Sequence, residues 1–267
     1  MRPGGVERGG RRPHVTLVKI CGNRTPADVL AAADAGADFV GMMFARSSRQ
    51  VDAQEASAMV RALGRPLAEY EMNLPPPAQP HVREEVGPWF RHGADVIHAY
   101  LEVKRPLTVG VFADQPIDEV NELAEEAGVD LVQLSGDETW EDCLLVTRQV
   151  IQVVHISPLD SPSDPMAFVQ PGFALALMLD AAHGPYRGGG GRPFDWEVAR
   201  LVAERVPMML AGGLTPENVG EAIARVRPWA VDVSSGTERD GRKDHSRVRA
   251  FVDAVYARDA TNGETST

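Results

Sequence analysis

Short apolar runs, each about the length of a buried strand, recur along the chain. They fall near Val15–Ile20, Asp38–Phe44, Leu107–Phe112, Asp130–Leu134, Val150–Ile156, Ala174–Leu179, Val206–Leu210 and Trp229–Val233. Most are separated by stretches with helical spacing. Pro26–Ala35 follows Thr25, Ile117–Ala127 follows Pro116 and Pro216–Val226 follows Thr215, residue types that start helices. The junctions Ala35–Asp38 and Ala127–Asp130 read as helices ended by glycine that hand over to the next strand. Eight strand–helix units predict an α/β fold, a closed (β/α)8 TIM barrel. The rival, an open doubly wound sheet, would usually carry a glycine-rich dinucleotide loop after its first strand, and none follows Ile20.

One segment breaks the rhythm. Between a helix ending near Leu63 and the strand at Leu107, residues 66–106 form an insertion of about 40 residues, long enough to demand a role of its own. Leu74–Pro80 is proline-rich and leans to polyproline II. Val82–Val103 reads as helix in two pieces, broken around Gly87-Pro88 and Gly93. Because the segment leaves a helix rather than a strand's C-terminal end, it should start on the face away from an active site. A structural or oligomeric role is therefore expected before a lid. His81, His92 and His98 lie in it at spacings that fit no metal motif. The expected domain plan is a disordered Gly/Arg/Pro tail over 1–14, a barrel over 15–260 and a frayed end over 261–267.

Composition narrows the function. The chain has 267 residues, 43% of them hydrophobic, enough for one sizeable core. A net charge of −11 argues against nucleic acid as the main partner. It leaves room for a small anionic substrate held by amides and an arginine or two. No apolar run reaches membrane-spanning length, and the N-terminal stretch has no apolar core of a secretory signal. With two cysteines, Cys21 and Cys143, a reducing cytoplasm is expected, and disulfide or cysteine–metal sites are not. Cys143 reads as buried in an amphipathic helix.

Barrel strands present their C-terminal ends on one face, where barrel enzymes keep their chemistry. The first strand ends at Cys21, followed at once by Gly22. The second leads to a loop with Arg46 and Arg49, the fourth to Gln133, Ser135 and Asp137, and the sixth to Asp180. The seventh ends in Ala211-Gly212-Gly213-Leu214 and the eighth in Asp232-Val233-Ser234-Ser235-Gly236. Gly212, Gly213, Ser234, Ser235 and Gly236 suit a phosphate cradle, because small residues let backbone amides converge on an anion. The plain alternative is a pair of tight turns that need glycine. Gly188–Gly191 suggests a loop that is mobile or comes close to a ligand. Cys21 and Asp180 across the barrel mouth could supply a base and an acid for proton transfer at neighbouring carbons. Each alone could be structural, Asp180 as a cap and Arg49 as a surface ion pair.

Taken together these segments resemble the phosphoribosylanthranilate isomerase family of tryptophan biosynthesis. The matching stretches are Lys19-Ile20-Cys21-Gly22, Ala35–Asp38, Val109–Phe112, Val132-Gln133-Leu134, Phe194-Asp195-Trp196, Gly212–Val219, Val231–Gly236 and Lys243-Asp244-His245. The resemblance implies a barrel that performs an Amadori rearrangement of an N-phosphoribosyl aromatic amine with no cofactor and no metal. It implies Asp180 as general acid and Cys21 as general base. Arg49 would hold the anthranilate carboxylate, Gln133 would contact substrate, Asp232 would lie near the ribose, and the Gly212 and Ser234 loops would hold the phosphate. The implied partner is a phosphorylated small molecule, with the protein a monomer or homodimer.

Four departures stand out. The loop after Cys21-Gly22 reads Asn23-Arg24-Thr25 rather than the family's common Thr-Arg or Thr-Asn order. Ser135 replaces the family's histidine after Val-Gln-Leu. Arg187 and four glycines replace its Gly-Gly-Ser/Thr-Gly-Lys loop, with Arg192 where the lysine falls. Residues 66–106 are extra. They leave open a sister isomerase acting on a modified aromatic amine, and a silent barrel that binds a sugar phosphate.

Overall fold

The computed structural model describes residues 16–156, 164, 166–180 and 196–264. The expected tail over 1–14 and the Gly188–Gly191 loop with Arg187 and Arg192 lie outside the described residues. The elements run β1 (Leu17–Ile20), α1 (Pro26–Ala35), β2 (Phe39–Met43), α2 (Ala53–Ala62), α3 (Pro80–Glu84), α4 (Val86–Val103), β3 (Leu107–Phe112), α5 (Ile117–Ala127) and β4 (Leu131–Leu134). They continue β5 (Gln149–His155), β6 (Ala176–Asp180), α6 (Trp196–Ala203), β7 (Met208–Ala211), α7 (Val219–Val226), β8 (Ala230–Val233), a hairpin of β9 (Glu238–Arg239) and β10 (Arg242–Lys243), and α8 (His245–Glu264). Strands β1 to β8 are parallel neighbours in chain order, and β8 pairs back onto β1, closing the barrel.

The strands are apolar on both faces because both are covered. Val18, Ile20, Val40, Val132, Leu177, Leu210 and Val231 point outward and join the helices in one buried cluster. Leu17, Phe39, Val109, Leu131, Ile151, Met178, Met209 and Ala230 alternate with them and fill the interior. α1 starts on a capping box, with Thr25 accepting from the Asp28 amide, and ends on Gly36 at φ 100°. α5 ends in the same way on Gly128 at φ 73°.

Several expectations are corrected. α7 begins at Val219 rather than Pro216, because Thr215 N donates to Asn218 Oδ1 and residues 216–218 form a turn before the helix. Cys143 lies in a short 3-10 turn, Glu141–Leu144, and not in an amphipathic helix. That turn is all the helix between β4 and β5, so the eight units do not each carry a full α-helix. α4 runs unbroken through Gly87, Pro88 and Gly93; the break falls earlier, at Glu85. Pro88 sits in the first turn, where no intrahelical N–H is required. Gly93 serves close approach instead: a Cβ there would sit 1.9 Å from the Leu175 carbonyl oxygen. α8 spans His245–Glu264, and residues 265–267 lie outside the described residues.

The segment between α2 and β3 packs at the N-terminal end of the barrel. Ile97, Tyr100 and Leu101 of α4 join the interior cluster with Leu17, Phe39 and Trp229. Trp89 Nε1 donates to the Ala174 carbonyl (2.7 Å), and Trp229 Nε1 donates to His98 Nε2 (3.3 Å). Asp130 fastens the segment: its carboxylate accepts from Leu67 N, from Lys104 Nζ and from Thr108 N and Oγ1. No helix among the described residues is long and apolar enough to cross a membrane.

Candidate active site

Side chains alternate along a strand, so the inward set at the C-terminal ends can be read from the register. Lys19 and Cys21 share the inner face with Leu17 on β1. Gln133 follows Leu131 on β4, His155 follows Val153 on β5, Asp180 follows Met178 on β6, and Asp232 follows Ala230 on β8. Cys21 and Asp180 thus belong to the same inner set, on strands that are not neighbours in the barrel. Asp180 pairs in register with His155 on one side and Ala211 on the other.

Around Cys21 the site is densely charged. Cys21 is 4% exposed and Lys19 is fully buried. Lys19 Nζ donates to Asp232 Oδ1 at 2.7 Å, across a register in which Lys19 faces Asp232. Burial pushes the Cys21 thiol up from its ordinary value, against the opposing Lys19 ammonium; Asp232 adds to the rise and Lys243 offsets it. Burial would lower Lys19, yet Asp232 and Cys21 hold its pKa above the ordinary lysine value. Glycine at position 41 makes room: a Cβ there would lie 2.7 Å from Cys21 Sγ and 3.1 Å from Lys19 Nζ.

Arg49 arrives on the loop after β2, next to Gly22, where a Cβ would fall 2.8 Å from its Cδ. The positive φ of Gly22, 77°, and this crowding explain the glycine after the cysteine. Arg49 is gripped bidentately by Glu238, with Nε at 2.6 Å and a terminal nitrogen at 2.9 Å. Lys243, opposite Glu238 in the β9–β10 hairpin, donates to the Ser234 carbonyl (2.8 Å) and Thr237 Oγ1 (3.1 Å). Burial alone would raise Glu238, but the Arg49 hydrogen bond and the Lys243 and Arg49 charges hold it below the usual carboxylate value.

The two rim loops after β7 and β8 lie against each other. Gly212 and Gly213 take φ of 94° and 65°, and a Cβ on Gly236 would meet the Leu214 carbonyl oxygen at 1.9 Å. Ser234 Oγ, beside Gly22, is buried with no hydrogen-bond partner, and so is Gln133 Oε1. Buried polar atoms of this kind normally find partners, so each is open to a ligand. Gln133 Nε2 donates to Ser135 Oγ (2.9 Å), and the Ser135 carbonyl accepts from His155 Nε2 (2.9 Å), which therefore carries the proton. Among the described residues no group of His, Cys, Asp and Glu could hold a metal ion.

The structure thus brings Cys21, Arg49, Asp232 and the Ser234 loop together and adds three residues given no role from sequence. Glu238 and Lys243 carried no spacing signal, because they meet only through a two-residue hairpin. Lys19 did carry one: a lysine inside an apolar strand, in step with Cys21. Cys143 is the contrast. Burial and nearby carboxylates push it up to about 12, and its Sγ donates to Gln152 Oε1 (3.3 Å).

The family profile described as N-(5'phosphoribosyl)anthranilate (PRA) isomerase matches residues 82–254. An N-(5'-phosphoribosyl)anthranilate isomerase of Dehalococcoides mccartyi is 34% identical over 242 residues, 89% of this chain and 94% of that protein. The multifunctional tryptophan biosynthesis protein of Phycomyces blakesleeanus is 39% identical over 252 residues, 88% of this chain, which spans 32% of that longer protein. A crystal structure of a phosphoribosyl anthranilate isomerase in complex with reduced 1-(o-carboxyphenylamino)-1-deoxyribulose 5-phosphate superimposes with a TM-score of 0.62. It shares 27% identity over 91% of this chain and 99% of that one.

Proposed function

The chain belongs to the N-(5'-phosphoribosyl)anthranilate isomerase family, and from that premise we propose that it catalyses the Amadori rearrangement of N-(5'-phosphoribosyl)anthranilate to the 1-deoxyribulose 5-phosphate in tryptophan biosynthesis. The observation that carries the reading is that Cys21 and Asp180 fall in one inward-facing set at the C-terminal ends of non-adjacent strands, with the ion-paired Lys19, Arg49 and Lys243 around Cys21 and glycine- and serine-rich loops after β7 and β8.

In this mechanism Asp180 protonates the furanose ring oxygen, and the C1′–O bond breaks to give a protonated Schiff base. The iminium acidifies the C2′ proton, so a thiolate suffices as base. Cys21 takes that proton and leaves an enolamine, which tautomerises to the ketone. General acid–base groups of this kind typically contribute about 10²–10⁴-fold each. Arg49 binds the anthranilate carboxylate with its remaining N–H groups, since Glu238 uses two of them. Asp232 approaches the ribose, Gln133 offers its unpaired oxygen to substrate, and Gly212, Gly213, Ser234, Ser235 and Gly236 hold the phosphate. No cofactor or metal is required by this chemistry.

Residues 66–106 are read as an insertion with a structural role. The support is their packing at the barrel end opposite Cys21 and the ties to Asp130 and Ala174. The phosphorylated substrate is the proposed partner, and the protein is proposed to act in the cytoplasm as a monomer or homodimer. Ser135, bonded to Gln133 where the family has histidine, supports the alternative of a modified aromatic amine. Two tests separate these readings: loss of phosphoribosylanthranilate fluorescence on adding enzyme, and rescue of a tryptophan auxotroph lacking this step. No turnover and no rescue by soluble protein overturns the main one.

A further inference from the structure

A lysine with no exposed surface in a barrel interior is costly, because taking an ammonium out of water costs several kcal/mol even after relaxation. Lys19 is such a residue. Its nitrogen is not merely neutralised by Asp232 at 2.7 Å. The bare Cα of Gly41 lets it approach the Cys21 sulfur as well: one Cβ at position 41 would touch both atoms. The ammonium therefore sits over Gly41 within reach of a carboxylate from β8 and of the thiol from its own strand. Lys19 is too deep to meet solvent, and the acid, base and carboxylate-binding roles are already filled by other side chains.

We propose that Lys19 is a positioning residue for the base: its ammonium works against burial and favours the thiolate form of the Cys21 sulfur in the barrel mouth, and Asp232 holds Lys19 in place. The other charged groups that reach the thiol do less. Lys243 from β10 and Arg49 from the loop after β2 both act on it, but both are paired with Glu238, which offsets their fields at the sulfur. Asp232 from β8 opposes ionisation. Lys19 is the strongest influence working against the burial that keeps the thiol protonated. Proximity makes it so: both atoms crowd the bare Cα of Gly41, and charge interactions strengthen steeply as distance and local dielectric fall.

The inference rests on Cys21 being the base, but its readout does not need turnover, so the two can fail separately. The probe is iodoacetamide on the full chain, with carbamidomethylation of Cys21 followed by peptide mass spectrometry across pH. Only the thiolate reacts, so the rate reports its fraction. Lys19→Met is expected to move the Cys21 midpoint up by at least about one pH unit, a tenfold or greater loss of rate at pH 7. Lys19→Arg should restore most of it. A folded Lys19→Met protein whose midpoint matches wild type overturns the proposal. If Lys19→Met does not fold, Lys19→Gln decides. Gln keeps a donor for Asp232 but removes the positive charge, so the midpoint should again rise by at least about one pH unit; a midpoint that matches wild type overturns the proposal.

Discussion

Asp130→Ala tests how the segment between α2 and β3 is fastened. The Asp130 side chain is fully buried and Lys104 nearly so, with Nζ at 2.6 and 2.8 Å from the two carboxylate oxygens. The same carboxylate accepts from Leu67 N at 2.8 Å, Thr108 N at 2.7 Å and Thr108 Oγ1 at 2.8 Å. Removing one partner of a buried pair leaves the other charge uncompensated, at a cost of about 3–5 kcal/mol. For a chain of this size that is roughly a 6–20 °C fall in Tm, at about 2–4 °C per kcal/mol. The assay is urea unfolding of wild type, Asp130→Ala, Lys104→Met and the double variant. The double variant should recover more than about 1 kcal/mol relative to additivity, since no ammonium is then stranded. Isomerase kcat/KM of folded Asp130→Ala should stay within about twofold of wild type, because the pair lies at the barrel end away from Cys21. A loss below about 1 kcal/mol at unchanged m-value would refute the fastening argument.

Glu238→Gln should loosen Arg49, raising KM for phosphoribosylanthranilate by about 5- to 30-fold with a smaller change in kcat, as expected for about 1–2 kcal/mol of lost charge-assisted bonding. The same variant carries a pH signature. Glu238 is depressed in the folded state, so its contribution to stability is present above its unfolded pKa and lost as pH falls through the lower folded value. Acid unfolding profiles of wild type and Glu238→Gln should therefore stay apart above the ordinary glutamate value of about 4.3 and draw together only as pH falls below it, toward the depressed folded value. Gly236→Ala would drive a Cβ into the Leu214 carbonyl and part the two rim loops. Competitive inhibition by inorganic phosphate should weaken by about tenfold or more, and unchanged inhibition would contradict the cradle.

Much of the barrel was legible because its signals are local. Strand β3 and helices α1 and α5 fall where apolar periodicity, N-terminal Thr or Pro and terminal Gly put them. What escaped depended on tertiary contact. Proline and glycine in α4 read as breakers, but Pro88 needs no N–H in a first turn, and Gly93 is a point of contact with Leu175. Cys143 had helical neighbours in sequence but only a 3-10 turn to sit in. Of the proposed site, Cys21, Asp180 and Asp232 are legible as polar residues ending apolar strands. Glu238 and Lys243 are not, because their meaning lies in pairing with Arg49 and the Ser234 carbonyl across the rim. Lys19 was readable in principle: in a closed barrel, a lysine two residues before an inward cysteine must itself point in.

The most direct test of the acid–base account is turnover of phosphoribosylanthranilate, followed by its fluorescence, in wild type, Cys21→Ala and Asp180→Asn under identical conditions, with folding checked by circular dichroism. The account predicts a measurable wild-type rate that falls by about 10²-fold or more in each variant. Two folded variants that keep wild-type turnover within about tenfold would contradict it.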